Sequence, residues 1–277
     1  MKRILLTGAA GIVGRSIRPL LRERYEHVVL ADLQPILDLA PNEVSRVGDC
    51  ADQAFADGLV ANVDGVIHLA GLVGAKFSFE DVLRPNILGT EVIFEAVRKA
   101  GIRNIVFASS HHVVGFLRRG ELVDHETAPR PNSQYALSKA YGESAASLYA
   151  DKYGLNILVV RIGYVGDDLS KERRLRTWIS PRDLVQLIEI GLGTPDLGCE
   201  IVYGVSDNPE PLFDNSNAFQ LGYQPQDRSV DFVTDDSVLK IRPDPTSLEE
   251  SLIGGGFAAE GFEGDQERVL GNQQNET

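Results

Sequence analysis

The chain has 277 residues, 43% of them hydrophobic, with a formal net charge of −13 and two cysteines. That length can bury a full α/β core, and the acidic balance argues against nucleic acid or an anionic membrane as partner. Cys50 and Cys199 are too few for a disulfide framework and too far apart for a metal knuckle, so no metal site is expected. Only a short apolar run precedes the first glycines, and nothing approaches the roughly 18 apolar residues of a membrane span. A reducing cytoplasm is the expected setting. Residues 243–277 hold eight acids and one arginine, about half of the net charge. Their last part, Glu263–Thr277, is expected to be a mobile acidic tail.

In chain order, Ile4, Leu5 and Leu6 read as a short buried parallel strand. Gly8, Gly11 and Gly14 then open an amphipathic helix whose apolar face carries Ile12, Val13, Ile17, Leu20 and Leu21. Glycines at this spacing permit the tight turn, let backbone approach a pyrophosphate and let helix and strand pack closely. The helix N-terminus offers free N–H groups and a positive dipole end to phosphates. A second run, His27–Ala31, ends at Asp32, where a ribose-binding carboxylate is expected. Asp32 would accept bonds from both ribose hydroxyls and repel a 2′-phosphate. With Leu33, Gln34 and Pro35 following and no basic residue, NAD is favoured over NADP.

Pro35–Asn42 reads as a loop and Val44–Val47 as a strand ending at Gly48 and Asp49, with the aspartate placed to meet the adenine. Ala51–Ala61 is a short helix. Asp64–Gly71 is a buried strand running into Leu69, Ala70 and Gly71, which lets backbone pass close to a dinucleotide. His68, inside that run, reads as a satisfied core residue. Phe79–Ala100 is expected as one long helix containing Asn86, with Pro85 causing a late start or a kink. Ile102–Ala108 is a strand leading to Ser109, Ser110, His111 and His112. Alternation of strand and helix predicts a doubly wound parallel α/β sheet of the Rossmann type, with ligand at the C-terminal strand ends.

Gly115–Ser133 reads as a loop, and a helix from Tyr135 to about Tyr153 comes next. Leu155–Arg161 is a strand, Gly163–Thr177 a polar charged loop, Pro181–Leu192 a helix with proline in its first turn, and Glu200–Tyr203 a strand. Asn215–Leu221 is a short helix, and the chain beyond it is irregular. Residues 1–262 thus read as a single domain, with the substrate-binding portion, a small C-terminal lobe, mainly in residues 163–262.

Tyr135 and Lys139 lie four residues apart and share one helix face. A lysine and a positively charged nicotinamide near a phenol both favour the phenolate, bringing its pKa from about 10 towards working pH. The phenolate then takes the proton of a substrate alcohol as hydride leaves its carbon. Ser110, at a strand end, can hold the same oxygen.

With the glycine turn, Asp32, His68-Leu-Ala-Gly71, Asn86, Ser109-Ser110 and Tyr135-x-x-x-Lys139 in place, the sequence resembles an extended short-chain dehydrogenase/reductase. The resemblance implies NAD contacts from Gly8, Gly11, Ile12, Val13, Gly14, Asp32, Leu33, Asp49, Leu69, Ala70, Gly71, Asn86, Lys139 and Ile162. Nearly end to end, the chain also resembles the uronate dehydrogenase family. That likeness lies in Pro41-Asn-Glu, Phe107-Ala-Ser-Ser, Arg161-Ile-Gly, Thr177-Trp-Ile-Ser180, Leu197-Gly-Cys, Tyr203-Gly-Val-Ser, Asp214-Asn and Gly254-Gly-Gly-Phe257. It implies oxidation of a cyclic sugar acid at C1 to a lactone, with Tyr135 as base, Ser110 its partner and Lys139 the tuner. A homo-oligomer built through the helices of residues 79–100 and 132–153 is expected on the same ground.

The family's substrate shell maps onto Val73, Ser110, His111, His112, Tyr135, Tyr164 and Arg173. Here Val73 and Tyr164 replace serines, and His111 replaces an asparagine. Arg173 falls at the family's carboxylate-binding arginine, and Arg174 and Arg176 are neighbours able to take that role. The alternative is a nucleotide-sugar epimerase or dehydratase, which uses the same Tyr/Lys/Ser set with tightly held NAD and returns the hydride. Such enzymes need a larger C-terminal lobe than the roughly 90 residues left here.

Overall fold

Ile4 and Leu6 face one side of the first strand and Leu5 the other, and all three are fully buried. A strand with both faces covered must lie inside a layered α/β structure. The computed structural model, which describes residues 1–271, shows this arrangement. Strands β1 (Arg3–Thr7), β2 (His27–Asp32), β3 (Glu43–Val47), β4 (Gly65–His68), β5 (Asn104–Ser110), β6 (Asn156–Ile162) and β7 (Cys199–Gly204) form one sheet. Its order is β3-β2-β1-β4-β5-β6-β7, and every pairing is parallel.

On one face, Ile4, Leu6, Leu30, Leu158 and Val160 pack with Ile17 and Leu21 of α1 (Ile12–Arg24) and Leu184 and Ile188 of α7 (Pro181–Gly193). On the other, Leu5, Val29, Val66, Ile105 and Ile157 pack with α2 (Gln53–Val60), α4 (Gly89–Lys99) and α5 (Gln134–Tyr153) through Leu59, Phe94 and Ala146. Full burial of each such side chain contributes about 1.5–3 kcal/mol. Strand order reverses between β1 and β4, and the crevice beyond their C-terminal ends is where an open α/β sheet binds its ligand.

The expected helix over Phe79–Ala100 is three pieces: α3 (Phe79–Val82), a π-helical turn (Leu83–Leu88) and α4. Pro85 has no N–H to give a regular ladder, and the Gly89 N–H reaches back to the Arg84 carbonyl. Within the expected loop of residues 163–177 lies a short helix, α6 (Glu172–Thr177), where Arg176 pairs with Glu172 one turn away. The region 163–262 contributes β7 to the sheet and α7 to the layer packed against it.

After α8 (Ser216–Gln220), the C-terminal stretch is made of short turns and the helices α9 (Leu248–Ser251), α10 (Gly256–Ala259) and α11 (Gln266–Leu270). It is not loose. Ile253 N donates to the Leu117 carbonyl and Gly254 N to that of Gly115, both at 2.9 Å. Leu270 is buried against Leu252 and Ala258, so the stretch expected to be mobile from Glu263 is seated as far as Leu270. The remainder of that expected tail, residues 272–277, lies outside the described residues. Among the described residues no helix is long and apolar enough to cross a membrane.

Candidate active site

The turn after β1 is built as a dinucleotide cradle. Gly8 has φ +68°, and a Cβ there would lie 2.7 Å from the Ala70 backbone nitrogen. At Gly14 a Cβ would lie 2.5 Å from the Gly8 carbonyl oxygen. Neither position admits a side chain. Gly11 caps α1 without any side-chain bond to the first N–H groups, which leaves them for an anion. Asp32 Oδ2 accepts from Ala10 N at 2.9 Å and Oδ1 from Gln34 N at 3.0 Å, which fixes the carboxylate beside the glycine turn. Flanking it, Ile12 and Leu33 are apolar yet 67% and 62% exposed, open to a flat ligand face. Val13 is half-buried behind them, and Leu69 and Ala70 line the end of β4, with Gly71 exposed. These groups fit a dinucleotide.

Other expected cofactor residues are hydrogen-bonded within the protein. Asp49 accepts from Arg84 Nε at 2.7 Å and from Ala51 N at 2.8 Å. Asn86 is buried, accepts from Leu72 N at 2.7 Å, and donates to the Leu72 carbonyl and to Ser138 Oγ. It therefore ties the loop after β4 to α5. The carbonyl of Ile162 accepts from His111 Nδ1 at 3.0 Å. His68 is enclosed: Thr90 Oγ1 donates to the Asn86 carbonyl and so accepts from His68 Nε2, leaving His68 Nδ1 to accept from Thr7 Oγ1 at 2.8 Å.

β5 extends through Ser110, because its register with β6 continues to Ser110 opposite Ile162. Ser110 therefore stands at the C-terminal edge of the sheet. Ser133 caps α5 by accepting from Ala136 N at 3.1 Å, which places Tyr135 in the first turn and Lys139 one turn on. Tyr135, Lys139 and Ser110 are all buried. Burial pushes the Tyr135 phenol up to about 12, and the Ser110 hydroxyl, donating to the phenol oxygen, opposes it. Burial brings the Lys139 ammonium down to about 8. Its Nζ lies 6.0 Å from the Tyr135 ring centroid and 5.1 Å from that of Phe107. The lysine thus does not by itself lower the phenol as expected. Burial wins.

Beneath these residues lies a charge network that motif reading misses. Glu143, one turn beyond Lys139, accepts from Arg161 Nε (3.0 Å) and Nη2 (2.9 Å) and from Ser109 Oγ (2.5 Å). Arg161 Nη1 donates to the Tyr203 hydroxyl, which donates to the Asp124 carbonyl. Spacing held a signal: residues 135, 139 and 143 share the helix face turned to the sheet, so an acid there demands a partner.

From Tyr135 a row of rings leads to a cation. Tyr135 and His112 have centroids 6.3 Å apart, His112 and His111 4.2 Å, and Arg173 Nη1 donates to His111 Nε2 at 3.3 Å. Asn132 Nδ2 donates to His112 Nδ1 at 3.1 Å, so Nε2 of His112 carries its proton and is a donor. Nothing in the sequence pointed to Asn132. Phe257 stacks on His112 at 4.1 Å and 14°, so the glycine-rich stretch folds onto this row.

The three candidate arginines now separate. Arg174 pairs with Asp168, and Arg176 with Glu172 and Glu210. Arg173 has no acidic partner among the described residues. It is half-buried, and burial together with the charge of Arg119 brings its guanidinium down to about 10. Tyr164 does not join this row. Its ring packs near Trp178 and Leu169 with the Arg174 guanidinium 4.6 Å from its centroid. Val73 is 61% exposed on the loop after β4.

Residues 4–166 match the NAD dependent epimerase/dehydratase family. The chain belongs to this family. It is 44% identical over 262 residues to the uronate dehydrogenase of Pseudomonas putida, covering 94% of this chain and 96% of the relative. Among solved structures it is similar to glucuronic acid dehydrogenase from Chromohalobacter salexigens, with TM-score 0.89, 37% identity and coverage of 94% and 97%. It is also similar to a variant of uronate dehydrogenase from Agrobacterium tumefaciens complexed with NAD, with TM-score 0.87, 38% identity and the same coverage.

Proposed function

We propose that the protein oxidises the ring form of a uronic acid at C1, transferring hydride to NAD and releasing a lactone. The observation that carries this reading is Arg173, a half-buried guanidinium with no acidic partner among the described residues, at the end of a row of rings that starts at Tyr135. An uncompensated arginine in such a place costs desolvation energy unless an anion meets it, and its planar fork suits a carboxylate. Similarity to uronate dehydrogenases over 94% of the chain supports the same reading.

In this reading Arg173 binds the substrate carboxylate and His112 Nε2–H donates to a ring oxygen. Ser110 holds the C1 hydroxyl oxygen and Tyr135 takes its proton. NAD, when bound, supplies the hydride acceptor and a positive charge. Lys139 balances the phenolate before it takes that proton, and Asp32 with the glycine turn holds the dinucleotide.

The setting is cytoplasmic in this reading, in keeping with two free cysteines. The protein self-associates through exposed Leu83, Leu88, Leu137, Tyr141 and Leu148, which light scattering would test. The direct test of function is absorbance at 340 nm with purified protein, NAD and a panel of uronic acids, aldoses and nucleotide sugars. Net NADH with a uronic acid is expected. Conversion of a nucleotide sugar without net NADH would sink the reading in favour of an epimerase.

A further inference from the structure

Arg173 is oriented by two acceptors, and neither is a carboxylate. Nη1 donates to His111 Nε2 at 3.3 Å and to the Ile253 carbonyl at 3.4 Å. Its neighbours are handled differently: Arg119 and Arg176 share Glu172, and Arg174 has Asp168. The tail backs the guanidinium. Gly255 has φ +56°, and a Cβ there would lie 2.3 Å from Arg173 Nε.

The chemistry of His111 is set by its other nitrogen. Sheet register sets Ser110 opposite Ile162, and the turn that begins at His111 brings its ring under the Ile162 carbonyl. A carbonyl only accepts, so Nδ1, 3.0 Å from it, carries the proton. In a neutral imidazole Nε2 is then a lone pair, the partner a guanidinium N–H requires. Burial and the charge of Arg173 keep His111 neutral, with its pKa brought down to about 3.

We propose that His111 is a positioning residue for carboxylate recognition: locked as the Nδ1–H tautomer by the Ile162 carbonyl, it aims the Arg173 guanidinium without neutralising it. An aspartate or glutamate at this place would hold the arginine as firmly and compete with the substrate. A neutral acceptor leaves the whole positive charge for the ligand. His111 therefore acts on the substrate through Arg173. The proposal rests on the uronate reading above.

The test is a double-mutant cycle on purified full-length protein, with D-glucuronate as substrate and calorimetric binding of D-glucuronate as a second readout. His111→Phe keeps the ring and removes both nitrogens, and His111→Leu replaces it should that variant not fold. The KM for the acid is expected to rise about 10- to 100-fold, with a much smaller fall in kcat and unchanged NAD affinity. His111→Gln, which keeps an acceptor oxygen within reach of Nη1, is expected to recover most of the loss. In an Arg173→Ala background, His111→Phe is expected to add less than about twofold. An unchanged KM, an effect of equal size in that background, or a parallel loss of kcat and NAD affinity would overturn the proposal alone. A wild-type protein that neither binds nor oxidises a uronate would overturn the functional reading and the proposal together.

Discussion

Removal of the Glu143 carboxylate should be the most damaging single change behind the catalytic row. Arg161 is 1% exposed and rests on Glu143 through two hydrogen bonds, while Ser109 gives a third. Glu143→Ala leaves a guanidinium in a dry interior with only the Tyr203 hydroxyl as partner. Removing one member of a buried pair costs about 3–5 kcal/mol, because the desolvated charge that remains is uncompensated. For a chain of this length that corresponds to a fall in Tm of roughly 6–20 °C. Thermal and urea unfolding followed by far-UV circular dichroism would measure it. Glu143→Gln keeps one acceptor and should fall between. The paired replacement Glu143→Leu with Arg161→Met removes both charges and should recover most of the loss, since two apolar groups of similar volume carry no desolvation cost. If the double variant were as unstable as the sum of the singles, the carboxylate and the guanidinium would not be acting as a pair. Because α5 also carries Tyr135 and Lys139, kcat should fall in Glu143→Ala even well below its Tm.

Further outcomes are expected. Tyr135→Phe should lower kcat for NADH formation about 10²–10⁴-fold while the fold survives, and steady-state kinetics with circular dichroism would show both. In the wild type, kcat should rise through the alkaline range, because the base works deprotonated and burial has raised its pKa. Arg173→Ala should raise the uronate KM roughly 10²–10³-fold by removing two charge-assisted bonds, whereas Arg174→Ala, already paired with Asp168, should change it little. Finally, His68, His111 and His112 are buried and held neutral, all with pKa values below the usual 6.5. The unfolded chain binds these protons first, so their stabilisation is present above pH 6.5 and is lost as pH falls towards the folded values. Each group contributes about 1.4 kcal/mol per pH unit, roughly 4 kcal/mol for the three. A urea midpoint unchanged between pH 7 and pH 5 would refute this.

Much of the fold is legible because a doubly wound sheet marks its strands by apolar runs and its turns by glycine. Ile4–Leu6, His27–Ala31 and Leu155–Arg161 all fall within a residue or two of strands in the structure. The placement of the expected triad is legible for a similar reason: Ser110 sits on a strand end, and Tyr135 and Lys139 on the first two turns of a helix, where position dictates direction. The features that escape notice depend on contacts between distant segments. Helix α6 has no apolar stripe and is held by charge pairs. The C-terminal stretch spreads Leu252, Ile253, Phe257 and Leu270 too thinly to show periodicity, yet each finds a pocket or a ring to cover. Tyr164 and His111 are expected in the substrate shell from the sequence, but tertiary packing turns one towards Trp178 and the other towards Arg173.

Those two side chains carry an argument about how specificity is divided. The reacting groups are borne by elements whose geometry the sheet imposes, so changing a neighbour barely moves them. Recognition is borne by α6, by the turn after β5 and by the glycine-rich stretch that meets them, each held by a few specific bonds. In the proposed reading, Val73 and Tyr164 stand where the resemblance places serines, so neutral contacts that discriminate among sugar hydroxyls are fewer. In the same reading Arg173, without an acidic partner among the described residues, supplies a contact that discriminates acid from neutral sugar. Charge-assisted bonds are about twice as strong as neutral ones, so selectivity for the acid should be strong and selectivity among the epimers of that acid weak. The ratio of kcat/KM for glucuronate over galacturonate should therefore lie near one, while the ratio for either over the corresponding aldose should be large.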